Sequence, residues 1–307
     1  MTFDYIVGNP PYAYISGGKS HRLWDRIVIK AYNLLKPKGE MIMVHPGAWR
    51  FATGISDLNL RNIKKIYTTH NVRSMELFGI DEGIEKFGAV TDYDIVTLVK
   101  EPIKEETLIR TKTDGEIKID LSTFNMIPTD NFTLFNKLKA GSNEERVDII
   151  FDSNYHHINN GKSLISDKKD DIYKYPVIYT VTEKQGVVYW YSKSNTNGHF
   201  GIPKLILKIG ATTPILDLGG KYGMSEFAGA IVDTPENLLK IEKAINHPEF
   251  KKLKLYFTGA IVPVNGYIDG MGKMFKFIRE FRKDFWKEFY TDEMEQELTK
   301  EGKLIYS

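Results

Sequence analysis

Few residues in this chain are of types that can do chemistry at a spacing that invites it. The clearest set is Asn9-Pro10-Pro11-Tyr12, at the end of Phe3-Asp4-Tyr5-Ile6-Val7-Gly8. Two consecutive prolines fix φ and remove two backbone donors, so neither a helix nor a sheet ladder continues through them. The residue before a proline is driven to extended geometry, which holds Asn9 out at the end of the run. Tyr5 to Val7 reads as a short buried strand, and strand ends of this kind carry ligands in open α/β sheets. A side-chain amide, rigid carbonyls and an aromatic ring are well suited to holding the exocyclic amino group of a flat base.

The elements that must position this turn follow directly. Ala13 to Ser20, with Gly17-Gly18-Lys19, reads as a loop, either a connector or a mobile lid. Leu23 to Leu35 has apolar residues at helical spacing (Leu23, Ile27, Ala31, Leu34, Leu35) and stops at Lys36-Pro37-Lys38-Gly39. Met41 to Val44 is an apolar run of strand length, ending at Pro46-Gly47. Strand, turn, helix, turn, strand is the pattern of a parallel α/β unit. Asp57 to Tyr67 reads as a helix, Ser74 to Phe78 as a strand, Asp81 to Glu85 as a solvated loop, and Ile95 to Val99 as a β-branched strand.

The ten residues ending in Asn9-Pro10-Pro11-Tyr12 resemble the catalytic motif of N6-adenine-specific DNA methyltransferases of the restriction-modification kind. Leu23 to Gly39 and Met43 to Arg50, with Pro46 and Trp49, are similar to that family's following helix and strand end, where they are scaffold. The resemblance covers about the first 100 residues. It implies a partial Rossmann-like methyltransferase sheet over residues 1–105, in which Asn9, Pro10, Pro11 and Tyr12 are catalytic. It also implies that Tyr12 and Phe87 stack on an extruded base; otherwise Phe87 is an ordinary core residue. S-adenosylmethionine would be the methyl donor and double-stranded DNA the partner, in a prokaryotic or viral cytoplasm.

Composition sets bounds. The chain has 307 residues, enough for about two domains. With 42 Lys and Arg against 40 Asp and Glu, total charge does not announce a nucleic-acid binder. There are no cysteines, which excludes disulfides, thiolate metal sites and a cysteine nucleophile and accords with a reducing compartment. No apolar run has the length of a membrane span. His156 and His157 would point to opposite faces of a strand, so no metal is expected.

Beyond Glu101-Pro102 the character changes. Short turn-separated segments (Ile117 to Leu121, Val147 to Phe151, Val177 to Val181, Val187 to Tyr191, Leu205 to Ile209) predict a mixed α+β domain over residues 106–307. Its place and length resemble a target-recognition region. Pro235 to Ile245 reads as a helix capped by Thr234, and Phe275 to Tyr290 as a longer aromatic-rich helix. From Lys240 to Lys283 ten basic residues face four acidic ones; Lys251, Lys252 and Lys254 are the candidates for phosphate contacts.

The family binds its cofactor with a glycine-rich loop that normally precedes the catalytic motif. One look-alike exists, Ile215 to Gly223 with Ile231-Val232-Asp233 after it, but Met224 to Gly229 is too short for the intervening helix. A turn between strands is the better reading. The chain is therefore expected to be a fragment, to work with a partner chain carrying the cofactor half, or to bind DNA without methylating it. Competing readings are a protein glutamine methyltransferase, a non-catalytic specificity subunit and a nuclease; the last lacks an acidic set at convincing spacing.

Overall fold

The computed structural model describes residues 1–52, 57–88, 90–151, 156, 164–182, 184–208, 213–225, 228–257, 277–301 and 303. The chain divides into two compact units, Met1–Asn136 with Leu255–Val262, and Lys137–Lys254 with Pro263–Ser307.

The first unit is built on a six-stranded sheet. Its strands are β1 (Phe3–Gly8), β4 (Leu35–Pro46), β5 (His70–Phe78), β6 (Tyr93–Pro102), β7 (Thr107–Thr111) and β8 (Gly115–Ile119), in the order β1-β4-β6-β5-β7-β8. β1 runs parallel to β4, and β5 parallel to β7, while β6 is antiparallel to both its neighbours. This is the α/β class read from the sequence, with a parallel-containing sheet. The sheet continues past the change of character at residue 105, because β7 pairs with β5.

Two helices, α1 (Trp24–Leu34) and α2 (Leu58–Thr69), bury the faces their periodicity defines: Trp24, Val28 and Ala31 on one, Leu60, Ile63 and Tyr67 on the other. Both lie on the Met41, Met43 and His45 face of β4. Trp24 stacks on His45 at 5.0 Å, and His45 Nε2 meets the Tyr67 hydroxyl at 2.9 Å. Lys100, on the same face of β6, donates to the carbonyls of Tyr32 and Leu35 at 2.9 and 2.8 Å, tying the end of α1 to the sheet.

Three expectations are corrected here. The strand before Asn9 is not buried: Tyr5 and Val7 are each 76% exposed, because β1 is an edge strand with β4 on one side only. Ala13 to Ser20 is no loop. It contributes to a hairpin of β2 (Ala13–Ser16) and β3 (Lys19–Arg22), turned by Gly17 and Gly18 at φ +58° and +72°. Two successive positive φ values match the twist of paired strands, and glycine reaches them without strain. Asp81 to Glu85 lies in a helix, α3 (Ile80–Phe87). Asp81 and Glu82 sit in its first turn, where the helix dipole favours them, and Glu82 accepts a hydrogen bond from the Gly79 N–H at 2.7 Å.

The second unit carries two four-stranded sheets. β10 (Ile165–Ser166), β12 (Gly186–Ser192), β11 (Tyr175–Thr182) and β15 (Gly223–Met224) form one; β14 (Ile215–Asp217), β13 (Lys204–Lys208), β16 (Ala228–Val232) and β9 (Asp148–Phe151) form the other. Ile178 and Met224 from the first, and Ile206, Ala228 and Ala230 from the second, share a core. β9, β11, β12 and β13 fall where the turn-separated segments predicted strands, whereas β10, β14, β15 and β16 were not among those segments; Ile209 lies outside the described residues. Helix α4 (Pro235–Asn246) is capped by Thr234, whose side chain accepts from the Asn237 N–H.

The long helix over Phe275 to Tyr290 is a further correction, with Phe275 outside the described residues. The chain pairs Phe281 with Lys139 and Arg282 with Arg146 in isolated bridges, then makes a short 3₁₀ turn at Phe285–Glu288. Phe277, Phe281, Phe285 and Phe289 are all buried, with Phe250 against the last three. Spacing by four fits successive tight turns around one aromatic core as well as it fits a helix. Among the described residues no helix is long and apolar enough to cross a membrane.

Candidate functional site

The carboxyl ends of β1, β4 and β5 lie at the same end of the sheet as the start of β6. Gly8 pairs with Met43, and Tyr93 pairs with both Pro46 and Phe78. Asn9 emerges there and is exposed, Pro10 is buried, Pro11 is exposed and Tyr12 is half-buried. The Tyr12 carbonyl accepts from the Leu23 N–H at 3.1 Å, pinning the turn to the start of α1. The rigid dipeptide thus has a fixed base on its protein side, and Asn9 keeps access to solvent.

Beside this turn stands an aromatic group. Tyr93 stacks on Phe78 at 4.5 Å and meets the Phe87 ring edge-on at 4.8 Å. Tyr93 is buried and Phe87 is 41% exposed, so Phe87 presents ring surface to solvent. The Tyr12 hydroxyl is pushed above the usual phenol range, first by burial and then by the neighbouring Tyr93 and Asp94. Phe87 is therefore packed on Tyr93, and the Tyr12 hydroxyl lies close enough to Tyr93 to feel its charge.

A buried charged cluster fixes the start of β6. Arg50 reaches Asp92 at 2.6 Å, Asp94 at 3.2 Å and the Thr129 hydroxyl at 2.7 Å, and the Trp49 ring N–H donates to Asp94 at 2.8 Å. Two carboxylates share one guanidinium in a dry place. Burial pushes Asp92 up to about 6 and raises Asp94, against the lowering effect of Arg50. Burial also pulls His45 down to about 4, so it is neutral at physiological pH. The cluster brackets Tyr93 and sets where its ring stands.

Sequence reasoning missed Tyr93, Phe78 and the cluster. Tyr93 is flanked by Asp92 and Asp94 at a strand start, an unusual pattern worth marking. Phe78 joins it only through β5–β6 register. The candidate DNA-contacting lysines lie in the second unit, on α5 (Pro248–Phe257). Lys251 is exposed, Lys252 pairs with Glu249 at 2.6 Å, and the Lys254 side chain lies outside the described residues.

The glycine-containing look-alike does not fit a cofactor loop. β14 and β16 are both antiparallel to β13, which lies between them. Asp217 is buried on Lys204 at 2.7 Å and accepts the Lys221 and Tyr222 N–H groups, so its carboxylate is fully engaged. A Cβ on Gly220 would stand 2.5 Å from the Gly201 carbonyl carbon, so that loop packs on its own chain. Nearby, His156 is buried against the Met224 carbonyl at 2.9 Å; His157 lies outside the described residues.

No protein-family model matches the chain, and no curated protein matches it. Among solved structures it is similar to the Type IIL restriction-modification enzyme MmeI in complex with DNA, at 10% identity and TM-score 0.39, over 78% of this chain and 42% of that one. It is similar to a nuclease-deletion mutant of the Type ISP restriction-modification enzyme LlaGI with a DNA substrate mimic, at 11% and 0.38, over 89% and 40%. A putative class I S-adenosylmethionine-dependent methyltransferase from Listeria monocytogenes matches at 14% and 0.26, over 36% of each chain. This chain thus spans less than half the length of each.

Proposed function

We propose that this chain is the base-binding part of an N6-adenine DNA methyltransferase of restriction-modification type, with Asn9 to Tyr12 as the site that receives a flipped adenine. The observation that carries the reading is the exposed Asn9 at the carboxyl end of β1, backed by buried Pro10 and set beside the rings tied to Tyr93. An adenine inside a duplex is out of reach, so it must be extruded, at a few kcal/mol of lost stacking and pairing. Tyr12 and Phe87 stacking on the freed ring would offset about 1–3 kcal/mol of that. The Asn9 amide oxygen and the Pro10 carbonyl would accept the two hydrogens of the exocyclic amine. That draws the nitrogen lone pair out of conjugation with the ring and points it in a fixed direction, which is catalysis by positioning and electrostatics.

The methyl donor in this reading is S-adenosylmethionine, held by residues other than the described ones of this chain. Lys251, Lys252 and Lys254 would contribute phosphate contacts from the second unit, with Lys252 first released from Glu249. A glutamine side chain also carries an amide nitrogen, but the ring surface of Phe87 favours a flat aromatic substrate.

The test is Asn9→Ala in the complete enzyme, with transfer of a labelled methyl group to DNA as the readout. Transfer should fall by about 10²-fold or more, as when a preorganised partner of the reacting group is deleted, with DNA affinity unchanged. Unimpaired transfer would refute the reading.

A further inference from the structure

The chain leaves the Asn9-Pro10-Pro11-Tyr12 turn as a two-stranded ribbon, β2 and β3, whose side chains stand in solvent. Every residue from Ala13 to Lys19 is exposed, and so is His21. A lone hairpin is marginal in water, and this one is secured at its root. The Tyr12 carbonyl accepts from the Leu23 N–H, and Arg22 reaches Asp25 at 2.9 Å and Asp57 at 2.6 Å. Tyr14 stacks on its cross-strand partner His21 at 5.2 Å, which stiffens the stem. At the far end Gly17 and Gly18 carry no side chains, so the tip is as thin as backbone. Just before that tip Ile15 stands 81% exposed. A bulky aliphatic side chain held up on a stiffened stem calls for something to bury it.

We infer that this ribbon is the element that enters the duplex, with Ile15 as the wedge that fills the place of the extruded adenine. The inference rests on the proposed base site for its partner, and adds to that site the device that holds the duplex open. Size is suitable: two strands about 4.8 Å apart enter a major groove about 12 Å wide and 8.5 Å deep, which admits a two-stranded ribbon. The four residues of β2 reach about 13 Å, more than the depth of the groove, so the tip meets the base stack. Charge is suitable too. From Asn9 to Arg22 there is no acidic residue, and Lys19 stands exposed beside the tip, placed for a phosphate contact. Extrusion leaves a hole in the stack and costs pairing and stacking, and aliphatic wedges are what proteins slide between base steps. Ile15 lies three residues beyond Tyr12, about 10 Å along the strand, so the wedge and the receiving ring belong to one short, stiff segment. A protein partner suits the ribbon less well. A stable protein interface takes about 800 Å² from each side, and the bulky side chains here are Ile15 and a Tyr14 already stacked on His21.

The test compares the full chain with its Ile15→Ala variant on two probes: a short duplex with one A·C mismatch, whose adenine is cheap to extrude, and the single strand carrying the same adenine. Ile15→Ala should weaken binding to the duplex about 10-fold, the scale of one aliphatic side chain losing its burial. Affinity for the single strand should not change, and neither should the melting temperature of the protein, because Ile15 is exposed. An equal loss on both probes, or no loss on the duplex, would overturn the inference. The photo-crosslinker p-benzoylphenylalanine at position 15 should label bases at or beside the mismatch; labels spread evenly along the duplex, or none, would also overturn it. Failure of the base site reads separately. Equal affinity of single strands carrying adenine and purine would remove that site, while the duplex contrast at Ile15 still decides the role of the ribbon.

Discussion

Gly47, just after β4, is the point at which the smallest change should disturb the site's foundation most. A Cβ built there would stand 2.0 Å from Arg50 Nη2, 2.5 Å from Asp92 Oδ2 and 2.7 Å from Arg50 Cζ. Real Cβ atoms essentially never come so close, so the guanidinium must retreat by about an ångström. It has nowhere to go, because Arg50 is fully buried and held by Asp92, Asp94 and Thr129. Gly47→Ala therefore separates a buried ion pair, which costs about 3–5 kcal/mol when a partner is lost outright. The expected loss is about 3 kcal/mol in the transition of the first unit, read by urea unfolding with intrinsic tryptophan fluorescence from Trp24 and Trp49. A double-mutant cycle sharpens it. In an Arg50→Ala background only Asp92 Oδ2 still crowds the added methyl, so the methyl should cost less there than in the parent. If Gly47→Ala stays within about 1 kcal/mol of the parent, or costs the same in both backgrounds, then Gly47 is not what leaves room for the ion pair.

Phe87→Ala should separate binding from stability: with its ring 41% exposed, the stability cost stays under about 1.5 kcal/mol, while affinity for an oligonucleotide with an unpaired adenine falls about 10-fold; equal affinity would release Phe87 from the site. His45 holds its native value near 4 against 6.5 in the unfolded chain, so its contribution to stability is complete above pH 6.5 and is lost as pH falls towards 4, by roughly 3 kcal/mol. Asp92 acts in the opposite sense: the native state keeps its proton up to about pH 6, which favours folding below about pH 4 and is lost as pH rises through 6. Asp92→Asn should therefore steepen the acid loss between about pH 6 and 4 in urea titrations, and a profile parallel to the parent's would contradict the opposition. Lys251→Glu should weaken DNA binding uniformly across sequences and make its salt dependence shallower; unchanged affinity would remove α5 from the DNA surface.

What the residues reveal on their own follows from which interactions are local. The strand, the Asn9-Pro10-Pro11-Tyr12 break, α1, β4 and α2 all announce themselves through proline geometry and apolar period, and each stands where those patterns put it, except that Lys36-Pro37-Lys38-Gly39 is the opening of β4 and not a turn before it. Burial of β1 was not legible, because edge or interior is decided by sheet order, which pairs residues far apart in the chain, such as Tyr5 with Glu40. α3 was hidden because Asp81, Glu82 and Glu85 read as solvation when two of them are first-turn acids behind a Gly79 cap. The aromatic run after Phe277 has helical spacing but folds as tight turns, since Phe250 and the bridge to Lys139 supply its packing. Tyr93 joins Phe78 and Phe87 only after β5, α3 and β6 have assembled, so no linear spacing could reveal it.

The proposed function stands on Asn9 and the Pro10 carbonyl holding a base by its amino hydrogens. Affinity of the chain for two short oligonucleotides probes this without any methyl donor: one carries an unpaired adenine, the other purine, which lacks the amino group. Adenine should bind about 10-fold more tightly, the worth of about 1.4 kcal/mol of hydrogen bonding, and Asn9→Ala should erase the difference. Equal affinity for the two bases, or a preference that survives Asn9→Ala, would mean that the amino group is not held there.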